Sequence, residues 1–274
     1  MKVEDIRVAI LRMEGTNCED ESYQAFARLG AKPEYVHIKQ MLGLVEGEER
    51  SPFDYQMLMF PGGFSAGDYI RAGAIFAAIM KSRLMDELRE FVKEGRPILG
   101  VCNGFQVLVE LGMLPALDGI SSQPEAVLAT NDSSRFECRN IYIRHDRRTD
   151  SPFTSMYGKG EVLLMPVAHA EGKFTVDARK EKEIMKRLND NDQVVFRYVN
   201  PDEPDSDDVP YPWNPNGAVE NIAGISNPEG NVLGMMPHPE RAFYNYMVGL
   251  PEPESFGPGA GIFRSVVDYI SKKF

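Results

Sequence analysis

The chain has 274 residues, 43% hydrophobic and 26% charged, which is enough to bury the core of one large α/β domain and excludes disorder as its overall state. Its formal net charge of -11 argues against nucleic acid or an anionic membrane surface as partner, because both select basic patches. Three cysteines, Cys18, Cys102 and Cys138, form no C-x-x-C and no Cys/His pair at zinc spacing, so neither a disulfide framework nor a metal site is expected.

The N-terminus, MKVEDIRVAI, carries acids where a signal peptide is apolar, and no stretch approaches a membrane span, which places the chain in the cytosol. There the formal sequon Asn131-Asp132-Ser133 carries no meaning. Arg7 to Met13 reads as a strand, and an amphipathic run to Leu29 with a stop at Gly30 as a helix. Strands follow at Pro33 to Ile38 and Tyr55 to Phe60, then a glycine-rich turn, Pro61 to Asp68. One long helix is expected from Ala74 to Lys93, closed by Gly95, and a strand from Pro97 to Val101. Strands alternating with helices predict right-handed crossovers and a parallel sheet with helices on both faces.

Beyond about residue 114 the pattern changes to shorter β-like runs, Arg139 to His145 and Glu161 to Val167, expected as an antiparallel or mixed extension of the same domain. Lys180 to Leu188 reads as a surface helix and Gln193 to Val199 as a strand. Asp202 to Asp208 holds five acids in seven residues but lacks the ligand and glycine spacing of a calcium loop, so residues 202–216 read as a solvated surface insertion in a single domain, 1–274. Ala223 to Ser226 and Asn231 to Met236 form a hairpin around Asn227-Pro228-Glu229-Gly230, and Ile262 to Lys272 a last helix.

Chemistry concentrates at Gly100-Val101-Cys102-Asn103-Gly104, between an apolar strand and a helix-like run. A G-x-C-x-G in that setting is a nucleophile elbow: the glycines allow a sharp turn, the thiol is presented at the carboxyl edge of the sheet, and the helix N-terminus favours thiolate. A cysteine nucleophile needs a base and a group to orient it. Of four histidines, His238 in Met236-Pro237-His238-Pro239-Glu240 fits best. Pro239 forces His238 into extended backbone, and strand-like alternation then directs His238 and Glu240 to the same side. His37 reads as structural, and His169 as a loop residue able to line a pocket. The N–H of Asn103 and an N–H of the Pro61-Gly62-Gly63 turn are candidate oxyanion donors.

Gly100 to Gln106, with its G-x-C-x-G-x-Q pattern, and His238-Pro239-Glu240 resemble the class I (triad) glutamine amidotransferases. The strings GVCNGFQVL, PGGFSAGDY, RFECRN, PVAHAEGKF, NPNG and GNVLGMMPHPER, in order along most of the chain, are similar to those of glutaminase subunits of phosphoribosylformylglycinamidine synthases. The resemblance implies a flavodoxin-like sheet and hydrolysis of L-glutamine to glutamate and ammonia. It casts Cys102 as nucleophile, His238 as general base and acid, Glu240 as its orienter, and Gly63 and Asn103 as oxyanion donors. Gln106 and the segment His169, Ala170, Glu171, Gly172 would grip the glutamine. This chain would hold no cofactor; a separate synthetase subunit would carry ATP and magnesium and consume the ammonia, and a small third subunit would complete the enzyme. Two other readings compete with this one. A peptidase or chaperone-type cysteine hydrolase on the same fold usually has histidine after the nucleophile, where Asn103 stands, and an inactive regulatory module would lack part of the triad.

Overall fold

The computed structural model describes all residues, 1–274. Its elements in chain order are β1 (Arg7–Arg12), α1 (Glu19–Arg28), β2 (Lys32–His37), α2 (Ile38–Met41), β3 (Met57–Phe60), α3 (Ala74–Lys81), α4 (Met85–Lys93), β4 (Ile98–Val101) and α5 (Asn103–Glu110). There follow β5 (Val127–Ala129), β6 (Glu137–His145), β7 (Val162–His169), β8 (Lys173–Thr175), α6 (Glu181–Asp190), β9 (Val194–Tyr198), β10 (Ile222–Ser226), β11 (Val232–Met235) and α7 (Ala260–Lys273).

Nine strands make one sheet in the order β2-β1-β3-β4-β11-β10-β9-β6-β7. The first half, through β11, is parallel, and the second half, from the β10–β11 hairpin to β7, is antiparallel. This is the α/β, flavodoxin-like fold expected, with helices flanking the parallel strands and a mixed extension on one side. The central strands β3, β4 and β11 are buried along their whole length, as apolar runs covered on both faces must be. Sixty-nine buried residues form one continuous core through both halves.

Three expectations need correction here. The helix expected over 74–93 is two helices, α3 and α4, broken at Ser82-Arg83-Leu84; the Ser82 hydroxyl donates to the Ile79 carbonyl at 2.7 Å and so competes with the helical backbone. Residues 202–216 are not all surface: the acids are exposed, but Asn214, Pro215 and Asn216 are buried. Asn216 Nδ2 donates to the Gly172 carbonyl at 2.8 Å and to Tyr198 Oη at 3.2 Å. Third, β5 and β8 form a separate two-stranded sheet that was not anticipated.

The sheet positions the elbow through two glycines. A Cβ on Gly104 would lie 1.9 Å from the Phe60 carbonyl oxygen, and one on Gly100 2.6 Å from the Gly104 carbonyl oxygen. Only hydrogen fits where α5 lies directly on β3 and β4. Gly104→Ala is therefore expected to push α5 off the sheet and destabilise the fold by about 3 kcal/mol, the upper range for overpacking a core. Denaturant unfolding checks this, and an unchanged midpoint would refute the packing described.

Candidate active site

Cys102 follows the last residue of β4 and caps α5. Its backbone takes φ 51° and ψ -108°, a conformation rare for a residue with a side chain and costing on the order of 1–3 kcal/mol. Its N–H donates to the Met235 carbonyl at 2.8 Å, a bond that continues the parallel pairing of β4 with β11, in which Met235 faces Val101. The same register brings the residues after β11 to the carboxyl edge beside Cys102. His238 is three residues past that strand, fixed there by its own N–H to the Pro166 carbonyl of β7 at 2.8 Å.

His238 Nδ1 lies 2.5 Å from Glu240 Oε1, and both residues are only 1% exposed. The contact was expected; its geometry is not the expected one. His238 is extended, but Pro239–Ala242 forms a short 3-10 turn, and that turn, not strand alternation, swings Glu240 back under the ring. His238 Nε2 has no hydrogen-bond partner. The place where a Gly62 side chain would begin lies 2.9 Å from His238 Cε1 and 3.4 Å from Cys102 Cβ, so the ring and Cys102 face one small space beside the Pro61-Gly62-Gly63 turn. Burial opposes charge on the ring, yet the Glu240 carboxylate and the negative charge a Cys102 thiolate brings outweigh it. They hold the imidazole well above its ordinary pKa.

Both expected oxyanion donors are free. The Gly62 carbonyl accepts from Asn17 at 3.3 Å and the Phe64 N–H donates to the Gly15 carbonyl at 2.8 Å, which leaves Gly63, with φ 147°, turned so that its N–H bonds to neither strand. The Asn103 N–H opens α5, where the first amides have no intrahelical acceptor. The Asn103 side chain braces the turn: Oδ1 accepts from the Ser65 N–H at 3.2 Å, and Nδ2 donates to Gln106 Oε1 at 3.0 Å and Asp68 Oδ1 at 3.4 Å.

Gln106, one turn further along α5, donates from Nε2 to the Glu171 carbonyl at 2.5 Å, tying the elbow helix to the segment after β7. His169 is not a loop residue as expected; it ends β7 and is 3% exposed. Burial, with the neighbouring His238 charge added, pushes its pKa down to about 3, so the ring is neutral. Its Nδ1 lies 3.2 Å from Asn131 Oδ1, which also accepts from the Gly172 N–H at 3.0 Å, and Asn131 Nδ2 donates to the His169 carbonyl at 2.8 Å. Ala170 is exposed, and Glu171 Oε2 accepts from the Ala72 N–H at 3.1 Å. Asp68 faces Glu171, and burial together with that second carboxylate raises its pKa to about 6. His37 is structural, its Nδ1 accepting from the Lys39 N–H at 3.1 Å.

Sequence reasoning missed Asn131, Asp68 and Cys18. Asn131 lay inside the formal sequon and gave no other signal. Cys18, 1% exposed, is brought beside His238 and Glu240 by the turn after β1, and its Sγ accepts from Arg241 Nη2 at 3.1 Å.

A buried cysteine on a strained elbow, a carboxylate-held imidazole and two free amides can carry out acyl transfer through a thioester. Comparison with known proteins agrees with that chemistry. The model of the CobB/CobQ-like glutamine amidotransferase domain matches residues 5–270. The phosphoribosylformylglycinamidine synthase subunit PurQ of Archaeoglobus fulgidus is 55% identical, over 99% of this chain and 100% of its own length. Its counterpart from Picrophilus torridus is 45% identical, over 94% and 96%. The solved PurLQS structure from Thermotoga maritima superposes with a TM-score of 0.71 at 31% identity, covering 97% of this chain and 99% of the matched one. With the fold, the elbow and the matched length in agreement, the chain belongs to the CobB/CobQ-like glutamine amidotransferase family.

Proposed function

We propose that this chain is the glutaminase subunit of a phosphoribosylformylglycinamidine synthase, hydrolysing L-glutamine to glutamate and ammonia for de novo purine synthesis. The observation that carries the reading is the buried His238 Nδ1 to Glu240 Oε1 contact of 2.5 Å, whose ring turns an unpartnered Nε2 toward the space beside the elbow cysteine. The Cys102 sulfur attacks the side-chain carboxamide carbon, and the carbonyl oxygen gathers negative charge between the Gly63 and Asn103 amides. His238, having taken the thiol proton, delivers it to the departing nitrogen, so ammonia leaves and a thioester remains. A water, deprotonated by the same Nε2, then releases glutamate and restores the thiol. Gln106 and the residues from His169 to Gly172 hold the amino-acid end of the substrate.

Ammonia passes to a separate synthetase subunit, which binds ATP, magnesium and formylglycinamide ribonucleotide and returns the formylglycinamidine; a small third subunit completes the assembly. All 274 residues act as one amidotransferase domain, and the chain works in the cytoplasm. Two features support partner-dependent activity. Cys102 is 5% exposed, a closed resting site. Tyr69 and Ile70, following Asp68 at the edge of that site, present 89% and 74% of their surface to solvent, with Phe64 and Phe136 exposed nearby. No helix is long and apolar enough to cross a membrane.

The test is glutaminase turnover with and without the synthetase subunit. The isolated chain is expected to be slow and to accelerate by at least about tenfold in the complex, the low end of coupling between sites. Vigorous hydrolysis by the chain alone, unchanged by the partner, would count against the proposal.

A further inference from the structure

One buried thiol beside the triad has no part in acyl transfer. Cys18 Sγ, a His238 ring nitrogen and a Glu240 carboxylate oxygen lie within 4.8 Å of one another, although the three residues span more than two hundred positions of sequence. Each is 1% exposed. Two atoms of the group, His238 Nε2 and Glu240 Oε2, have no hydrogen-bond partner, and buried polar atoms in that state are few in a native protein. Thiol, imidazole and carboxylate together are a donor set for zinc, which takes sulfur at about 2.3 Å and nitrogen or oxygen at about 2.0–2.2 Å in a tetrahedron. Small side-chain rotations would close the present spacing onto such an ion. Cys102 stands at the same place: the start of a Gly62 side chain would be 3.1 Å from Cys18 Sγ and 3.4 Å from Cys102 Cβ.

A cavity of about 240 Å³ lies along α1, with Asp20, Glu21 and the single cation Arg28 in its wall; the Glu240 side chain behind it is fully buried. Arg241 is the group to be displaced, since its Nη2 donates to Cys18 Sγ at 3.1 Å. Its Nε lies 3.6 Å from Glu21 Oε1, so the guanidinium has a second acceptor when it leaves the sulfur. Burial keeps the Cys18 thiol above its ordinary pKa despite His238, and it rests protonated.

We propose that Cys18, His238 and Glu240, with Cys102 able to join them, form a site for zinc or a similar thiophilic divalent cation whose occupation switches off the glutaminase. Binding stands on the geometry alone; the inhibition rests on the triad reading given above. As the sulfur–metal bond forms, the Cys18 proton leaves to solvent. Either ring nitrogen then yields the same block. A metal on Nε2 takes the lone pair that would accept the Cys102 proton, and a metal between Nδ1 and Glu240 leaves the ring proton on Nε2.

Two measurements test this. In the full chain carrying Cys102→Ala and Cys138→Ser, Cys18 is the one thiol left, and Co²⁺ is titrated as a spectroscopic stand-in. One equivalent is expected to give a sulfur-to-cobalt charge-transfer band, removed by competing Zn²⁺ and absent when Cys18→Ser is added, or Cys18→Ala if the serine variant does not fold. No band in the parent overturns the site. In the complex with the synthetase subunit, Zn²⁺ is expected to inhibit glutamine-dependent ammonia release reversibly, with EDTA restoring it, and the half-inhibiting concentration to rise at least tenfold in Cys18→Ser. An equal half-inhibiting concentration in that variant would assign the metal to Cys102 and His238 alone and overturn the proposal. If no glutaminase activity is found at all, the triad reading fails while the cobalt titration still decides the site.

Discussion

Cys102→Ala is expected to lower glutamine-dependent synthesis by the assembled enzyme at least about 10⁴-fold, the scale set by removing a catalytic nucleophile. Synthesis fed with free ammonia should remain nearly intact. The two outcomes separate because the thiol makes ammonia and takes no part in using it. The fold should tolerate the change: the thiol donates one long hydrogen bond, 3.5 Å to the Ala168 carbonyl oxygen, and the strained backbone at φ 51° is equally strained with alanine. Glutamine-dependent turnover surviving in the variant would move the nucleophile elsewhere, and Cys18 would be the first residue to examine. Product formation from glutamine and from an ammonium salt, measured side by side, decides the matter.

How far the site could be read from sequence follows from how local each signal is. The elbow was legible because every requirement lies within five residues: a buried strand, two glycines for close approach, and a helix start. The pairing of His238 with Glu240 was legible for a similar reason, since they are two positions apart, but the alternation invoked to join them was the wrong geometry. The strand already ends at Met235; Pro239 opens a 3-10 turn, and a turn brings residues two apart together as effectively as a pleat. The meeting of Cys102 with His238 depends on β11 being the parallel neighbour of β4, with Met235 opposite Val101. Strand neighbours and register are tertiary facts, and no window of sequence holds them.

The same distinction explains the errors. The strand expected over Glu161 to Val167 left His169 in a loop; β7, the outer strand of the sheet, carries Pro166 within it and runs on. A proline is tolerated there because the missing N–H leaves no ladder position empty, and the strand continues to His169. Asn214 to Asn216 looked like an extension of an acidic surface loop because its neighbours are charged and its prolines suggest turns. It is buried because Asn216 supplies a donor to the Gly172 carbonyl, an acceptor that lies forty-four residues earlier. The parts that sequence reading lost are thus the long-range polar contacts around Asn131, Gly172 and Asn216, whereas the parts it kept are the local turns around Cys102 and His238.

The second large effect belongs to Glu240→Gln. Glutamine preserves the shape, and its Oε1 can still accept from His238 Nδ1, so the imidazole keeps its orientation. The charge is what disappears. In the native site burial works against an imidazolium, and the Glu240 carboxylate is the largest influence raising the pKa of the ring. Without it burial prevails and the pKa falls. A thiolate–imidazolium pair loses activity on the alkaline side when the ring gives up its proton, so the alkaline limb of kcat/KM for glutamine should move to lower pH. The two groups titrate as a coupled pair, and the limb reports the pair. The activity at its optimum should fall about 10²–10⁴-fold, the upper figure being the cost of neutralising the orienting carboxylate in a serine triad. Stability should fall as well at neutral pH: a ring whose pKa is raised in the fold stabilises the folded state while it is charged, and that contribution goes when the pKa falls. The stability lost should therefore shrink as the pH rises through the range in which the native ring gives up its proton. The pH–rate profile decides the role: an alkaline limb left in place would make Glu240 a structural residue instead of the group that keeps His238 charged.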